Sequence, residues 1–228
     1  MENRGLVIPG VKDDEFGYGL AYKLAAGKLA GIDDIAHLCD NSGAAYRVTE
    51  SGKVITVEYL NRQYRVTLPD VDVSAGDGAE VVPLREKILV LHYLTQAKGT
   101  PASGKTIAYK ELPEGISYFR TFCKRAIKPL TDHFGTGIQR LPDIARTLGG
   151  YKADYGDTAV TINAFPRVPL TFVLWGGDEE FPPEGNILFD SNIADYLSIE
   201  DINVLCETIA WKLVKSLWTG GDKNSRRS

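Results

Sequence analysis

The sequence is poor in the side chains that build metal centres. Its 228 residues include only three cysteines, three histidines and one methionine, and no two cysteines form a CxxC pair. A structural zinc site or an iron–sulfur cluster held by this chain alone is therefore disfavoured. The odd number of cysteines is typical of a protein from a reducing compartment. Cys123 lies among Arg120, Lys124 and Arg125, bases that would lower its thiol pKa if they faced the sulfur, but a reactive role there is the less favoured interpretation.

Long apolar runs and an excess of positive charge are also absent. No apolar run approaches the ~20 residues that cross a bilayer. The first residues, Met1 to Arg4, lack the pattern of a signal peptide. The net charge is −4, and no basic stripe stands out, which disfavours nucleic acids and anionic membranes as partners. We expect a soluble, cytoplasmic protein.

The common catalytic motifs are missing. There is no GxSxG and no HExxH, and the Gly104-Lys105 pair lacks the rest of a phosphate loop. A strand is predicted after this pair, whereas a phosphate loop leads into a helix. Enzymatic activity is therefore the less favoured interpretation.

The residues that are present predict one α+β domain. With 43% hydrophobic residues the chain can bury a core, and we expect an N-terminal segment over 1–12, a single domain over 13–219 and a disordered tail over 220–228. We expect an antiparallel sheet of short strands, packed with a buried central helix and a long C-terminal amphipathic helix. The predicted helices cover 14–32, 83–97, 116–134, 138–148 and 199–219, and the predicted strands cover 45–50, 53–60, 63–68, 106–110, 159–165 and 168–175.

The segment from Phe165 to Pro182 is the most informative part of the chain. An apolar run ends in Trp175-Gly176-Gly177 and is followed by the acids Asp178, Glu179 and Glu180. A buried strand that finishes in a rigid turn with fixed charges is a common way to build a site. We therefore expect this corner to border a hollow.

Two interpretations of the acids remain open. Three consecutive carboxylates usually cap a helix or face water. Alternatively, Asp178, Glu179 and Glu180 act with Arg167 in a hydrolase-like enzyme, in which two environments separate the carboxyl pKa values.

The histidines and one aromatic stretch supply further candidates. His92 lies in the predicted central helix, where a core histidine competes with an axial ligand. Asp132-His133, followed by Thr136, is similar to the Asp-x-His-x-x-Gly motif by which corrinoid modules supply a lower axial histidine. Here the two residues are adjacent, and Thr136 replaces the glycine. Tyr118, Phe119 and Arg120 would form either a pocket wall with an anion clamp or an ordinary amphipathic helix.

Several landmarks together resemble the family catalogued as domain of unknown function 3786. The resemblance covers residues ~10–218 and is most specific over 165–201. It is carried by Leu91-His92-Tyr93-Leu94, Lys98-Gly99-Thr100, Glu111-Leu112-Pro113, Tyr118-Phe119, Phe134-Gly135, Leu148-Gly149-Gly150, Gly156-Asp157, Phe165-Pro166-Arg167-Val168-Pro169, Trp175 to Pro182, Leu188-Phe189-Asp190 and Glu200-Asp201.

The resemblance implies an uncharacterised domain of anaerobic bacteria and archaea. Its relatives sit among corrinoid-dependent methyl-transfer systems, and some carry a cysteine-rich iron–sulfur segment that this sequence lacks. We therefore expect a non-enzymatic domain that binds a small ligand or cofactor, specifically a corrinoid of the cobalamin type, and that works with methyl-transfer proteins. An accessory interaction protein that docks through Trp175 is a further alternative. The expected binding residues are His92, Tyr93, Tyr118, Phe119, Arg120, His133, Arg167, Trp175, Gly176, Gly177 and Asp178.

Overall fold

A computed structural model describes residues 15–224 of the chain, except 77 and 79. The predicted N-terminal segment, 1–12, lies outside the described residues, as do residues 225–228 of the predicted tail. The helices in the described part are α1 (Glu15–Ala30), α2 (Ile35–Ser42), α3 (Leu84–Gln96), α4 (Gly115–Phe122), α5 (Lys128–Phe134), α6 (Leu141–Ala145) and α7 (Ile199–Asn224). A π-helical turn, Cys123–Ile127, joins α4 to α5.

The strands form two antiparallel sheets. The first is a meander in the order β1-β2-β3-β4, and the second has the order β5-β9-β8-β7-β6. The first sheet contains β1 (Ala45–Thr49), β2 (Gly52–Tyr59), β3 (Arg62–Leu68) and β4 (Asp72–Ala75), and the second contains β5 (Thr106–Ala108), β6 (Tyr151–Ala153), β7 (Thr158–Phe165), β8 (Val168–Trp175) and β9 (Glu184–Asp190). The α+β fold class is confirmed.

The two sheets meet in one hydrophobic core. The amide of Leu60 donates to the carbonyl of Ala164 at 3.0 Å, which joins the first sheet to the second. The ring of Phe165 lies 4.9 Å from that of Tyr59 and 4.1 Å from that of Tyr93 on α3. Because α3 is apolar nearly all round, it packs centrally, as the sequence predicts.

Helix α7 begins as predicted and ends later. The amide of Asp201 donates to Oγ of Ser198 at 3.2 Å, the bond expected of a serine N-cap. The apolar face that includes Leu205, Cys206 and Ile209 is buried. The helix runs to Asn224, so the predicted end at Gly220 is wrong. Glycine lowers helix propensity but does not by itself terminate a helix.

Three strands were not predicted from the sequence. Strands β4 and β6 contain four and three residues, too few to show a periodic pattern. Strand β9 lies between β5 and β8. Among the described residues, no helix combines the length and the apolar character needed to cross a membrane.

Candidate functional site

The tryptophan corner at the end of β8 is anchored from the neighbouring loop. The amide of Gly176 donates to Oδ2 of Asp157 at 2.9 Å, and the amide of Asp157 donates to the carbonyl of Leu174 at 3.2 Å. A Cβ atom at Gly156 would lie 3.1 Å from Cε2 of Trp175, so the indole passes close to that backbone. Trp175 remains 39% exposed. The corner is therefore a turn fixed by hydrogen bonds, in which the indole of Trp175 is partly open to solvent.

Asp178 organises the acidic turn that follows. Its Oδ1 accepts the amides of Phe181 at 2.7 Å and Glu180 at 2.8 Å, and its own amide donates to the carbonyl of Phe181 at 2.9 Å. Hydrogen bonds from the Phe181 and Glu180 amides lower the pKa of Asp178. Asp178, Glu179 and Glu180 are all exposed. The first acid therefore shapes the turn and leaves the other two free of this role.

A cleft of about 450 Å³ lies between this turn and α5. The two sides of the cleft approach each other closely at Pro183. A Cβ atom at Gly135 would lie 2.5 Å from Cγ of Pro183, and one at Gly177 would lie 2.7 Å from Cδ of the same proline. The cleft is lined by Thr131, Asp132, Gly135, Thr136 and the run from Gly177 to Pro183.

Only part of the predicted corner faces the cleft. Gly177 and Asp178 line it, whereas Trp175 and Gly176 are not among the lining residues. Phe181, which was not predicted, is 65% exposed and lies at the cleft. The sequence does contain a sign of its role, since an aromatic residue follows the acids directly and precedes two prolines.

Arg167 lies far from the acids. It occupies the β7–β8 turn, where its Nη2 donates to the carbonyl of Asp40 at 3.2 Å. Asp178 follows the opposite end of β8. At about 3.3 Å per residue, an eight-residue strand separates the two by more than ~20 Å. The structure does not bring Arg167 to the acids.

His92 is tied to the start of α7. Its Nδ1 lies 2.7 Å from Oδ1 of Asp201, whose other oxygen accepts Ser198 Oγ at 2.7 Å and Gln96 Nε2 at 3.3 Å. Burial raises the pKa of Asp201, but hydrogen bonds from His92, Ser198 and Gln96 outweigh it and the pKa is lowered overall. The imidazole therefore links α3 to α7.

His133 faces α7 rather than the cleft. Its ring lies 5.0 Å from that of Trp218, edge to face, and 6.1 Å from that of Trp211. Its neighbours on α5, Thr131 and Asp132, do line the cleft, and Asp132 accepts a hydrogen bond from Lys128 at 2.8 Å.

The remaining predicted residues lie elsewhere. Tyr93 is fully buried and donates its hydroxyl hydrogen to the carbonyl of Ser42, so its ring belongs to the core. On α4, Tyr118 is 41% exposed and Arg120 is also exposed. Phe119 lies beneath Lys110, whose Nζ is 4.1 Å from the ring centroid. This group forms an amphipathic surface rather than a wall of the cleft.

The protein-family comparison gives a match over residues 34–211. The matching family is described as "Domain of unknown function (DUF3786)". The chain belongs to this family. No curated protein and no solved structure matches it. The DUF3786 match contains the whole cleft, both sheets and the first half of α7, whereas α1 lies outside it.

This DUF3786 domain also contains charged groups that sequence reasoning missed. On α7, Glu207 is 7% exposed, and its Oε2 accepts hydrogen bonds from Arg85 and Arg125 at 2.5 Å each. Burial raises the pKa of Glu207, and the two arginines reverse this and lower it. Because Arg85 is 122 positions away in the sequence, no local pattern predicts the pair.

The acids and histidines do not assemble into a metal centre. In the part of the chain that the structure describes, no group of three or more His, Cys, Asp or Glu residues could hold a metal ion. Burial raises the pKa of the Cys123 thiol, and Lys110 only partly opposes this. The bases next to it in the sequence are not among the groups that shift this pKa. Arg125, one of them, instead binds Glu207.

Proposed function

We propose that this domain is a non-enzymatic small-ligand-binding protein whose ligand occupies the cleft between the acidic turn and α5. The observation that carries the proposal is the cleft itself, whose volume of about 450 Å³ falls within the usual range for small-molecule sites. Its two sides meet at Pro183, against glycines that tolerate no side chain. The missing side chains therefore let the acidic turn and α5 approach each other closely at this end of the cleft.

The lining favours a ligand with a positive charge or several hydrogen-bond donors. Asp178 is committed to the turn, and Asp132 is paired with Lys128. Among the described residues no basic side chain forms an ion pair with Glu179 or Glu180, so the cleft carries uncompensated negative charge. The exposed ring of Phe181 adds a face that attracts cations. An amine or quaternary ammonium group suits both features.

A corrinoid remains a narrower proposal, supported by the resemblance of the sequence rather than by the cleft. The lining contains no histidine that would serve as an axial ligand, because His133 faces the tryptophans of α7. The predicted residues His92, Tyr93 and Arg167 lie in three other places. These residues do not form one corrinoid site. A link to anaerobic methyl transfer is part of the same narrower proposal. We also propose a cytoplasmic location, which the three free cysteines favour.

Two alternatives have less support. A hydrolase that pairs the acids with Arg167 lacks the required proximity, because the two lie at opposite ends of β8. An accessory protein that docks through the corner has the exposed rings of Trp175 and Phe181 in its favour. The cleft beside the ring of Phe181 favours a ligand over a flat docking surface.

The test is direct titration of the purified protein. Hydroxocobalamin, spermidine and tetramethylammonium are added separately, and binding is followed by calorimetry and by the shift in melting temperature. We expect saturable binding of an amine probe that weakens about tenfold when Glu179 and Glu180 are both changed to Gln, a loss of about 1.4 kcal/mol. For hydroxocobalamin, corrin absorption that remains with the protein after desalting would support the narrower proposal.

The matched control is Glu58→Gln. Glu58 is exposed on β2, in the other sheet, and the change removes one negative charge without touching the cleft. If it weakens amine binding as much as Glu180→Gln does, the attraction comes from net charge and the cleft is not the site. If no probe binds, and native mass spectrometry of protein from an anaerobic host shows no adduct, the proposal fails.

A further inference from the structure

Helix α1 is apolar on two opposite faces. One face is buried through Ala25 and Leu29 and packs mainly against α3. On the other side of the helix, Leu20 is 55% exposed and Leu24 is 67% exposed. A surface helix in a globular protein normally carries polar residues on the side away from the core. Among the described residues nothing covers Leu20 or Leu24, so only something outside the described part of the chain could bury them.

Two glycines continue this exposed face. At 100° per residue, Leu20, Leu24, Gly27 and Gly31 fall within about 60° of one another around the helix axis. All four are exposed. Together they define the leucine–glycine face. Leu20 and Leu24 lie within α1, Gly27 lies near its end, and Gly31 directly follows its last residue, Ala30. The amide of Gly31 still donates to the carbonyl of Gly27 at 3.2 Å, which keeps the helical spacing.

The part of the chain that the structure describes does not fill the space at these glycines. A Cβ atom at Gly27 would meet nothing within 4 Å, and one at Gly31 would meet only carbonyl oxygens of α1, at 3.6 and 3.7 Å. Neither has a positive φ. Alanine would fit both positions and would favour the helix. The absent side chains leave space that something outside the described chain can enter.

The leucine–glycine face is complementary to itself. Two copies of α1 can be placed antiparallel about a two-fold axis that passes between Ala25 and Ala26. In this arrangement the numbers of two facing residues add up to 51. Leu20 then faces Gly31, and Leu24 faces Gly27. Each leucine enters the space left by a glycine, and the two-fold repeats the contact. A lone partner helix without this spacing would match only half of the face.

We propose that α1 is a dimerisation helix, which pairs antiparallel with α1 of a second copy of this chain through the leucine–glycine face. One helix pair buries less than the ~1,000 Å² of a stable interface, so the dimer should be weak and dissociate on dilution. The cleft lies on other elements, and this inference does not depend on a ligand there.

The test is sedimentation velocity of the full chain over a concentration series that reaches about millimolar. We expect a reversible monomer–dimer equilibrium, and we expect Gly27→Gln to weaken it at least about tenfold, because the new side chain fills the space for Leu24. The monomer should tolerate this change, since the position is open and glutamine favours a helix. An unchanged or raised melting temperature at low concentration verifies this.

The matched control is Gly19→Gln. A Cβ atom at Gly19 also meets nothing within 4 Å, but this position lies about 100° around the helix from Leu20. We expect the dimer to persist in this variant. A monomeric wild type at all concentrations overturns the proposal, as does a dimer that Gly27→Gln leaves intact.

Crosslinking tests the register separately. Leu24→Cys protein is mixed with Gly27→Cys protein under mild oxidation, and the disulfide is located by mass spectrometry. We expect a heterodimer joined between positions 24 and 27. Cys39 and Cys206 are buried and do not compete, and the partly exposed Cys123 is changed to Ser in both proteins. A dimer without this crosslink overturns the antiparallel register.

Discussion

Replacing the carboxylate of Asp201 is the most specific way to test how this fold is stabilised. It joins α3 to the start of α7 through hydrogen bonds with His92, Gln96 and Ser198, and its side chain is only 9% exposed. Asp201→Asn keeps the size of the side chain and removes its charge. We therefore expect the fold to survive and its stability to fall.

The magnitude follows from the bonds that are weakened. A hydrogen bond to a charged group contributes about 1.5–3 kcal/mol, and bonds that share one acceptor are not additive. Asparagine can keep part of the network. We expect the free energy of unfolding at pH 7 to fall by about 2 kcal/mol, and the melting temperature to fall by roughly 4–8 °C for a chain of this size.

The loss should depend on pH in a defined direction. The pKa of folded Asp201 lies below its ordinary value of 3.8. The carboxylate therefore stabilises the folded state above that pH, and this contribution is lost as the pH falls through the folded-state pKa. The difference between wild type and Asp201→Asn should shrink as the pH falls into the acid range.

Urea unfolding at a series of pH values measures this difference. The control is Glu200→Gln, which removes the adjacent, exposed carboxylate of the same helical turn. We expect the control to cost less than about 1 kcal/mol, the usual limit for an exposed charge near a helix dipole. A loss that is equal in the two variants, or one that does not change between neutral and acidic pH, would refute the reasoning.

Three further predictions concern other parts of the molecule. Glu207→Gln removes the carboxylate shared by two arginines, and we expect the free energy of unfolding, measured in urea, to fall by about 3 kcal/mol. A fall of less than about 1 kcal/mol would contradict a buried ion pair. Gly135→Ala should push Pro183 away from α5, lower stability by about 1–3 kcal/mol and abolish binding in the cleft, whereas Gly19→Ala should do neither. Burial raises the pKa of all three thiols, so iodoacetamide at pH 8 should react slowly and should modify Cys123 first. Mass spectrometry locates the label, and early labelling of Cys39 or Cys206 would contradict their burial in the core.

Much of the fold was predictable because local patterns carry it. Helices α3 and α7 have long apolar faces, and Ser198 marks the start of α7 by a cap that needs only its own neighbours. Strands β2, β3, β7 and β8 are rich in branched residues and are bounded by turns. Strand β9 was missed because only three of its seven residues are apolar, and its pairing with β5 and β8 on either side stabilises it more than its own composition does.

The candidate site was predictable only in part. The corner and its acids stand out in the sequence, and Gly177 and Asp178 do line a cleft. The other side of the cleft comes from α5, about forty positions earlier, and no local pattern connects the two. The expected grouping of His92, Tyr93 and Arg167 did not form, because each is held by a different neighbour, namely Asp201, Ser42 and Asp40.

The sequence by itself determined the central helix α3, the start of α7, the strands β2, β3, β7 and β8, and the composition of an α+β domain, whereas it did not reveal helix α2 or strand β9. These properties depend on neighbours within a few residues, so periodicity, caps and turns reveal them. The tertiary structure alone decided that the strands divide into two sheets, that Asp201 meets His92, and that Pro183 closes one side of a cleft against Gly135. Such contacts join residues about fifty to more than a hundred positions apart, and only the packing of the whole core brings them together.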